Sequence, residues 1–527
     1  MRTRTRRDFL ADVGRGTLVA GVGLGAAIDM GLAPAWAGDG KDADAPGPET
    51  LSFGGLEPLV AMMQETPADR LVPVLVARYR AGTDLRALVT AAALANARSF
   101  GGEDYVGFHT MMALAPAFHM ARELPEDRRP LPVFKVLYRN TKRIQEHGGR
   151  KAEVLRAVQP AALSEGRDAG EALRDAVRAK DVNEAERTFA AIARRGPDDA
   201  LNGLLHAVQD NTDVHRIVLP YRCWDLLDLI GKEQAEVLLR QSVRFCIQAE
   251  RNWKHDAHTD KPRTLLPKLL DQYKLPGRAR GERQAEDAWV ESMSRTIFEG
   301  TPEQAADAIA AALAEGFAPE ALGESISLAA NQLILRDIGR RPNEVRDDKP
   351  VGSVHGDSIG VHACDSANAW RNLARVADHR NSVACLILGA YQVADDRVNR
   401  GGDFLKWTPQ PHPEALDAIK SDDPATLLRE TEEAIRAKEQ ARAAALVQRQ
   451  GALGAPARPV FDLLLKYAVS EEGALHAEKY YRTVTEEFAA TRPAFRWRQL
   501  TALARVTASE AGRKAAGYEE SCRLLKV

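Results

Sequence analysis

The chain has 527 residues, 45% of them hydrophobic and 28% charged, which is ordinary for a globular protein and too long for one small core. Its 72 basic and 74 acidic residues leave a net charge of -2, which excludes the strongly basic footprint of a nucleic-acid binder or an anionic-membrane binder. Abundant Ala, Leu, Arg and Glu, with few β-branched runs, predict an all-α fold.

The first 37 residues read as an address. Thr5-Arg6-Arg7-Asp8-Phe9-Leu10 follows the twin-arginine export pattern, a weakly apolar Gly/Ala-rich stretch runs from Thr17 to Ala33, and Ala35-Trp36-Ala37 gives a small-x-small cleavage site. The expected partner of this segment is the twin-arginine translocation machinery, and the expected location is periplasmic or secreted. The apolar stretch is shorter than the roughly 20 residues of a spanning helix, and no later segment qualifies, so the mature chain is expected to have no membrane span. That route carries folded proteins, some with cofactors already inserted. A polar linker follows over 38–50. Export permits disulfides, but Cys223, Cys246, Cys364, Cys385 and Cys522 show no CxxC spacing, and their offsets from the helix ends favour buried free thiols.

Beyond the linker the chain divides into a first helical half, 51–285, and a second, 286–527, each of two units. Helices are expected at Ala68 to Arg80 and Leu85 to Arg98, broken at Ala81-Gly82-Thr83. The plan recurs from Thr301 to Arg336, with the break at Glu315-Gly316 and the second helix at Ala321 to Leu335. Thr66-Pro67 and Thr301-Pro302 each offer an N-cap followed by proline at the first helical position. Closing helices are expected at Leu131 to Tyr138 and Val383 to Tyr391. A fainter pair links Ala176-Val177-Arg178-Ala179-Lys180 with Ala434-Ile435-Arg436-Ala437-Lys438, closed by Val237 to Phe245 and Leu500 to Val506. Breaks near Pro276-Gly277 and Pro411-His412-Pro413 serve as linkers. A period of about 100 residues suits pseudo-repeated helical hairpins, arranged as a bundle, a toroid or a short solenoid.

Each unit carries one histidine at the start of a helix: His109, His215, His362 and His476, preceded by Phe108, Val214, Val361 and Leu475. If the units pack about a common axis, the four imidazoles meet. Neutral imidazole is a ligand for iron and other transition metals, so all four are metal-ligand candidates, and His109 and His476 are also read as cofactor-binding positions, for a metal or a haem. Asp104, Asp210, Asp213 and Asp365 stand close enough in sequence to cap, ligate or orient. His119, His206 and His379 carry weaker signals, His255 and His258 lie in a polar stretch, and Trp224, Trp370 and Phe118 read as core aromatics. Phosphate-loop, dinucleotide-binding, HExxH and GxSxG motifs are absent.

Around His109, His215 and the run Val354-His355-Gly356-Asp357-Ser358-Ile359-Gly360-Val361-His362-Ala363-Cys364-Asp365-Ser366-Ala367-Asn368-Ala369, the chain resembles questin oxidase-like proteins. It is also similar to the helical region that follows a Rieske domain in some bacterial proteins. The resemblance implies an all-helical oxidoreductase opening or oxygenating an aromatic, polyketide-like substrate, with His215, His355 and His362 as the catalytic positions. The Cys-x-His and Cys-x-x-His pairs of a Rieske cluster are missing, and Cys364 and Asp365 stand where the family has a threonine. Two other readings fit the same pattern: a helical-repeat scaffold for a protein partner, and a binding protein for a hydrophobic small molecule, neither catalytic.

Overall fold

The computed structural model describes residues 50–345, 349–399, 402–473 and 476–527. The expected signal peptide, almost all of the linker, and Leu475 lie outside the described residues. The chain is all-α: 23 helices and no strands among the described residues. None of these helices is long and apolar enough to cross a membrane.

The helices fall into four groups of five. The first is α1 (Glu57–Glu65), α2 (Ala68–Arg80), α3 (Leu85–Phe100), α4 (Tyr105–Glu123) and α5 (Pro130–His147). The second is α6 (Ala169–Arg178), α7 (Val182–Ala193), α8 (Pro197–Val208), α9 (Val214–Ile230) and α10 (Ala235–Asn252), trailed by α11 (Lys261–Gln272). The third is α12 (Asp287–Glu299), α13 (Pro302–Ala314), α14 (Pro319–Arg336), α15 (Ile359–Val376) and α16 (His379–Asn399), trailed by the short α17 (Pro413–Asp417). The fourth is α18 (Pro424–Arg436), α19 (Gln440–Ala452), α20 (Arg458–Ser470), α21 (Ala477–Ala490) and α22 (Trp497–Glu510), trailed by α23 (Tyr518–Leu525).

Packing inside each group follows one scheme. The third, fourth and fifth helices pack on one another, the second lies on the fifth, and the first lies on the third. The fourth helices then form a closed ring: α4 packs on α9, α9 on α15, α15 on α21, and α21 back on α4. At the end of the chain, α23 returns to α2 and α5, joining the last group to the first.

Composition explains why the inner helices can sit so deep. Helix α3 is buried on every side, with Ala91, Ala92, Ala93 and Ala95 fully inaccessible, and it behaves as a core helix with no polar face. Aspartates set several helix starts, their carboxylates accepting first-turn N–H groups: Asp84 on α3, Asp104 on α4, Asp168 on α6, Asp181 on α7 and Asp213 on α9. Thr301 opens α13 with a full capping box, its hydroxyl accepting from Gln304 N–H while the Gln304 side chain accepts from Thr301 N–H. Thr66 does not repeat this. Helix α1 ends just before it, so Thr66 closes that helix by donating its N–H to Met62, and α2 starts behind Pro67 with no side-chain cap. The closing helices are longer than their expected cores, because α5, α10, α16 and α22 run on over partly polar turns that the hydrophobic pattern does not mark.

Candidate metal centre

Each ring helix brings its histidine within the first turns. His109 lies in the second turn of α4, His215 in the first turn of α9, and His362 at the end of the first turn of α15, while His476 is the N-cap of α21. All four are buried, none more than 4% exposed. The chain arranges these entries differently at each site. Asp104 accepts from Gly107 N–H, Asp213 accepts from the N–H groups of His215 and Arg216, and Ser358 accepts from Val361 N–H.

Two glycines let their helices come close enough. A Cβ on Gly107 would sit 2.5 Å from the Phe100 ring, and one on Gly360 would sit 2.6 Å from Ile334 Cγ1 and 2.8 Å from the Ile334 backbone nitrogen. Each stands two residues before its histidine, so the close approach of α4 to α3, and of α15 to α14, fixes where the ring nitrogen ends up.

The four imidazoles converge. His109 Nε2 lies 3.2 Å from His215 Nε2, and His362 Nε2 lies 2.9 Å from His476 Nε2. Ring centroids are 4.7 Å apart in the first pair and 4.9 Å in the second. Between the pairs they are 5.3 Å apart for His109–His476 and 5.9 Å for His215–His362. The order 109, 215, 362, 476 follows the order of the helices around the ring. About two turns further along, Arg222 of α9 donates to Asn368 of α15 and to Thr483 of α21, so these three helices run in parallel away from the histidine layer.

The hydrogen bonds fix one tautomer. His109 Nδ1 is 2.8 Å from the Tyr105 carbonyl oxygen, which only accepts, so the Nδ1 carries the proton and Nε2 presents a lone pair to His215. Burial, followed by the Lys479 charge and the other three imidazoles, holds His109 well below the ordinary histidine range and keeps it neutral at pH 7. On the far side of His215, Asp213 Oδ1 lies 3.5 Å from Nδ1, in position to favour a proton there and to turn the second Nε2 lone pair inward as well. A carbonyl or carboxylate behind Nδ1, with Nε2 facing a partner, is the arrangement that orients a metal-bound imidazole. Tyr105 and Phe108 wall the first pair, Tyr105 at 4.2 Å from the His109 ring and Phe108 at 5.1 Å from the His215 ring.

Other candidates fall elsewhere. His355 is not in the ring. The stretch before α15 is a loop and not a helix, and the His355 ring is clamped between Glu510 at 2.9 Å and Ser353 Oγ at 2.7 Å. With Asp357 and Glu510 it forms the one set of three His, Cys, Asp or Glu ligand atoms within 4.8 Å of one another among the described residues, although Asp357 is already paired with Arg340 and Lys349. Asp104 pairs with Arg143 and Asp210 with Arg178, each 2.6 Å or closer, while Asp365 accepts from Thr483 at 2.7 Å. Burial pushes the Asp365 carboxyl up, against the pull of Lys479. His119, His206, His255, His258 and His379 have partners of their own in Asp225, Glu171, Asp260, Asp395 and the Leu275 carbonyl. Trp370 is a core residue donating to Gln392, Trp224 lies under Lys232, and all five cysteines are free, four of them buried. Gly107, Gly360, Lys479 and Tyr480 were not visible from the sequence pattern. Lys479 stands one turn beyond His476 and could have been noticed as a lysine on the histidine face of its helix.

Each close pair of rings has the bite of a first-row transition metal. Two nitrogens at about 2.05 Å from one ion and 3.2 or 2.9 Å apart subtend roughly 100° and 90° at the metal. Four rings on a single ion in one plane would have neighbouring centroids about 4.5 Å apart and no two ligand nitrogens more than about 4.1 Å apart, whereas no three of these rings bring ligand nitrogens within 4.8 Å of one another, so the ring is wider than a single bound ion would draw it. A haem does not fit. Axial nitrogens on one haem iron are about 4 Å apart, twice a metal–nitrogen bond of about 2 Å, and here the close pairs touch directly with no room for a porphyrin between them. No protein-family model, curated protein or solved structure matches the chain.

Proposed function

We propose that His109, His215, His362 and His476 close in on one first-row transition-metal ion, iron or copper before zinc, and that the protein is an exported metal-dependent oxidoreductase acting on a small molecule. One observation carries this: the Tyr105 carbonyl fixes His109 so that its bare Nε2 faces His215 Nε2 at 3.2 Å, and a second Nε2 pair faces it across the ring. A cation between such nitrogens relieves the lone-pair contact. An all-imidazole set suits iron, copper, nickel or zinc over magnesium or calcium, and the burial of all four rings suits redox chemistry at a shielded ion. The matching packing of the four helix groups supports duplication of a helical unit as the origin of the ring. Export by the twin-arginine route, read from residues 5–37, would let the ion be loaded in the cytoplasm.

Bound to this site, the metal would supply a Lewis-acidic, redox-active centre. The chain's own residues do the rest. Tyr105 and Asp213 orient the first two rings, burial with Lys479 keeps His109 unprotonated, and Asp365 holds a carboxyl group near Lys479.

The test is metal analysis of protein purified without a polyhistidine tag. One equivalent of metal is expected, reduced below 0.1 equivalent (roughly a tenfold loss of affinity or more) in His109→Ala/His362→Ala. Metal-free protein whose fold and stability survive that double substitution would overturn the proposal. That result would favour a second reading, to which the direct Nε2···Nε2 contacts also lend support: the two His–His hydrogen bonds are a polar clasp in the core of a helical-repeat scaffold.

A further inference from the structure

Outside the histidine ring, three side chains are hydrogen-bonded in the order of a nucleophile, a base and the carboxylate that orients the base. Ser353 Oγ lies 2.7 Å from His355 Nε2, and His355 Nδ1 lies 2.9 Å from Glu510 Oε1. A carboxylate only accepts, and Glu510 Oε1 also accepts the Gly356 N–H at 2.8 Å. The Nδ1 proton therefore points at Glu510, and the neutral ring turns its Nε2 lone pair towards Ser353. The Ser353 hydroxyl has one proton and two acceptors, Nε2 and the Pro350 carbonyl at 2.6 Å. Rotation about the Cβ–Oγ bond carries that proton from one acceptor to the other without moving Oγ. This relation, and not sequence position, marks such triads on unrelated folds.

The turn that carries Ser353 is fixed and opens to solvent. Gly352 has φ +79°, a conformation that glycine adopts without strain. Its N–H donates to the Arg340 carbonyl, and the Ser353 carbonyl accepts from Arg340 N–H. A surface cleft of about 420 Å³ lies over this turn, within the range of roughly 300–1,000 Å³ for small-molecule sites. Of the residues lining it, only Ser353 and Ser509 are buried, at 4% and 1% exposed, so they form its floor. Pro350 and Val351 stand on one wall, and Ala441 and Arg442, in the first turn of α19, on the other. The α19 N-cap, Glu439, makes no side-chain bond to that turn, which leaves its N–H groups as donors for a developing oxyanion.

We infer that Ser353, His355 and Glu510 form a second active centre, separate from the ring, that hydrolyses carboxylic esters bound in this cleft. Ser353 Oγ attacks the ester carbonyl carbon while its proton passes to His355 Nε2. As the carbon–oxygen bond to the alcohol breaks, that proton leaves with the alcohol. Water then gives a proton to Nε2 and attacks the acyl-serine, and the proton returns to Oγ as the acid departs. Glu510 keeps the ring in place and offsets its charge while it holds the extra proton.

The full chain, treated with a chelator, tests this with a fluorophosphonate, which forms a phosphorus–oxygen bond to an activated serine and releases fluoride. One label is expected on the peptide carrying Ser353, formed at the same rate after metal is restored, so the outcome is independent of the metal centre. His355→Asn can still donate to Glu510 but takes up no proton. It should slow both labelling and p-nitrophenyl butyrate hydrolysis by roughly 100-fold or more, the worth of a general base. Glu510→Gln should lower kcat with KM nearly unchanged, and Ala441→Trp, which narrows the cleft, should slow labelling without unfolding the protein. Folded parent protein that leaves Ser353 unlabelled overturns the inference whether or not any variant folds. So does a folded His355→Asn variant labelled as fast as the parent, which would make the three residues a hydrogen-bonded strut between the 350–353 turn and α22.

Discussion

Removing Lys135 should open the ring at its seam. Lys135 comes from α5 in the first group and reaches into the fourth, where its Nζ lies 2.7 Å from Glu478 Oε1, 2.8 Å from the Ala468 carbonyl and 2.6 Å from the Glu471 carbonyl. All of the Lys135 and Glu478 side chains are inaccessible, and Glu478 is two residues past His476. Burial alone would raise Glu478, but Lys135 and Arg139 outweigh it and hold the carboxyl below its usual range. For Lys135 burial outweighs Glu478 and lowers the amine. The two directions pull against each other, and geometry decides: three acceptors around Nζ match the three protons of an ammonium, so the pair is ionised. Neither Glu478 oxygen accepts a hydrogen bond elsewhere. Lys135→Met therefore leaves a buried carboxylate without its contacting partner, with only the more distant Arg139 to offset it, and two carbonyls without a donor, at a cost of about 3–5 kcal/mol. Lys135→Met/Glu478→Met removes the stranded charge and should recover at least about 2 kcal/mol of that, because a buried pair replaced by apolar groups is close to neutral. Urea denaturation of parent, single and double variants reads both quantities. A single variant costing under about 1 kcal/mol, or a double variant no more stable than the single, would refute the argument that charge neutralisation is what this contact supplies.

Asp213→Asn should leave stability nearly unchanged, since Asn caps a helix as well as Asp does. It should nevertheless weaken metal binding by about 10–100-fold in competition with a chelator, because the amide no longer orients His215 as a carboxylate does. Gly360→Ala should cost about 1–3 kcal/mol in thermal or chemical denaturation, because the nearest obstacle includes the Ile334 backbone and cannot move aside. It should also lower metal content by shifting His362, whereas a substitution at the open Gly316 break should leave metal content unaltered. Burial acts to raise Glu250, but Arg216 and Arg263 win and leave it below the usual carboxylate range. A carboxyl depressed on folding adds stability above its unfolded value of about 4.3, and that stability is lost as pH falls through the folded value. Urea midpoints measured from pH 6 down to pH 3 should therefore fall below about pH 4.3, with a shallower fall in Glu250→Gln.

The positions of the ring histidines were legible because each stands where a helical pattern restarts, and because the helix starts carry Asp or Ser caps that sequence alone can read. Their convergence was legible only as a consequence of repetition. His355 stands off the ring for a local reason: Gly356 and the turn after it put its ring against Glu510, a residue 155 positions away that no spacing rule connects to it. The seam formed by Lys135 and Glu478 is hidden in the same way, since lysine and glutamate in amphipathic helices ordinarily read as solvated. Gly107 and Gly360 were passed over because a glycine in a helix interior signals only a lost propensity until the neighbouring helix is known.

What the fold adds to the histidines is an electrostatic setting. Three of the four rings, His215, His362 and His476, sit at helix N-termini, where the unpaired N–H groups carry a partial positive charge, with His109 one turn further in, and Lys479 adds a whole charge nearby. At His109 burial first, and then Lys479, disfavour imidazolium and keep the nitrogen lone pair available down to lower pH than a free histidine would. The positive charge also opposes a metal cation, and the chamber answers with Asp213 behind His215 and Asp365 beside Lys479. Metal uptake is then a competition between a proton-poor donor set and a positive surround, which an exchangeable anion on the ion would ease. Metal affinity should accordingly rise when a small anion such as azide is added, and the gain should shrink in Lys479→Met, where less positive charge is left to neutralise. An affinity indifferent to azide in both proteins would mean that the helix ends and Lys479 do not act on the site as their positions require.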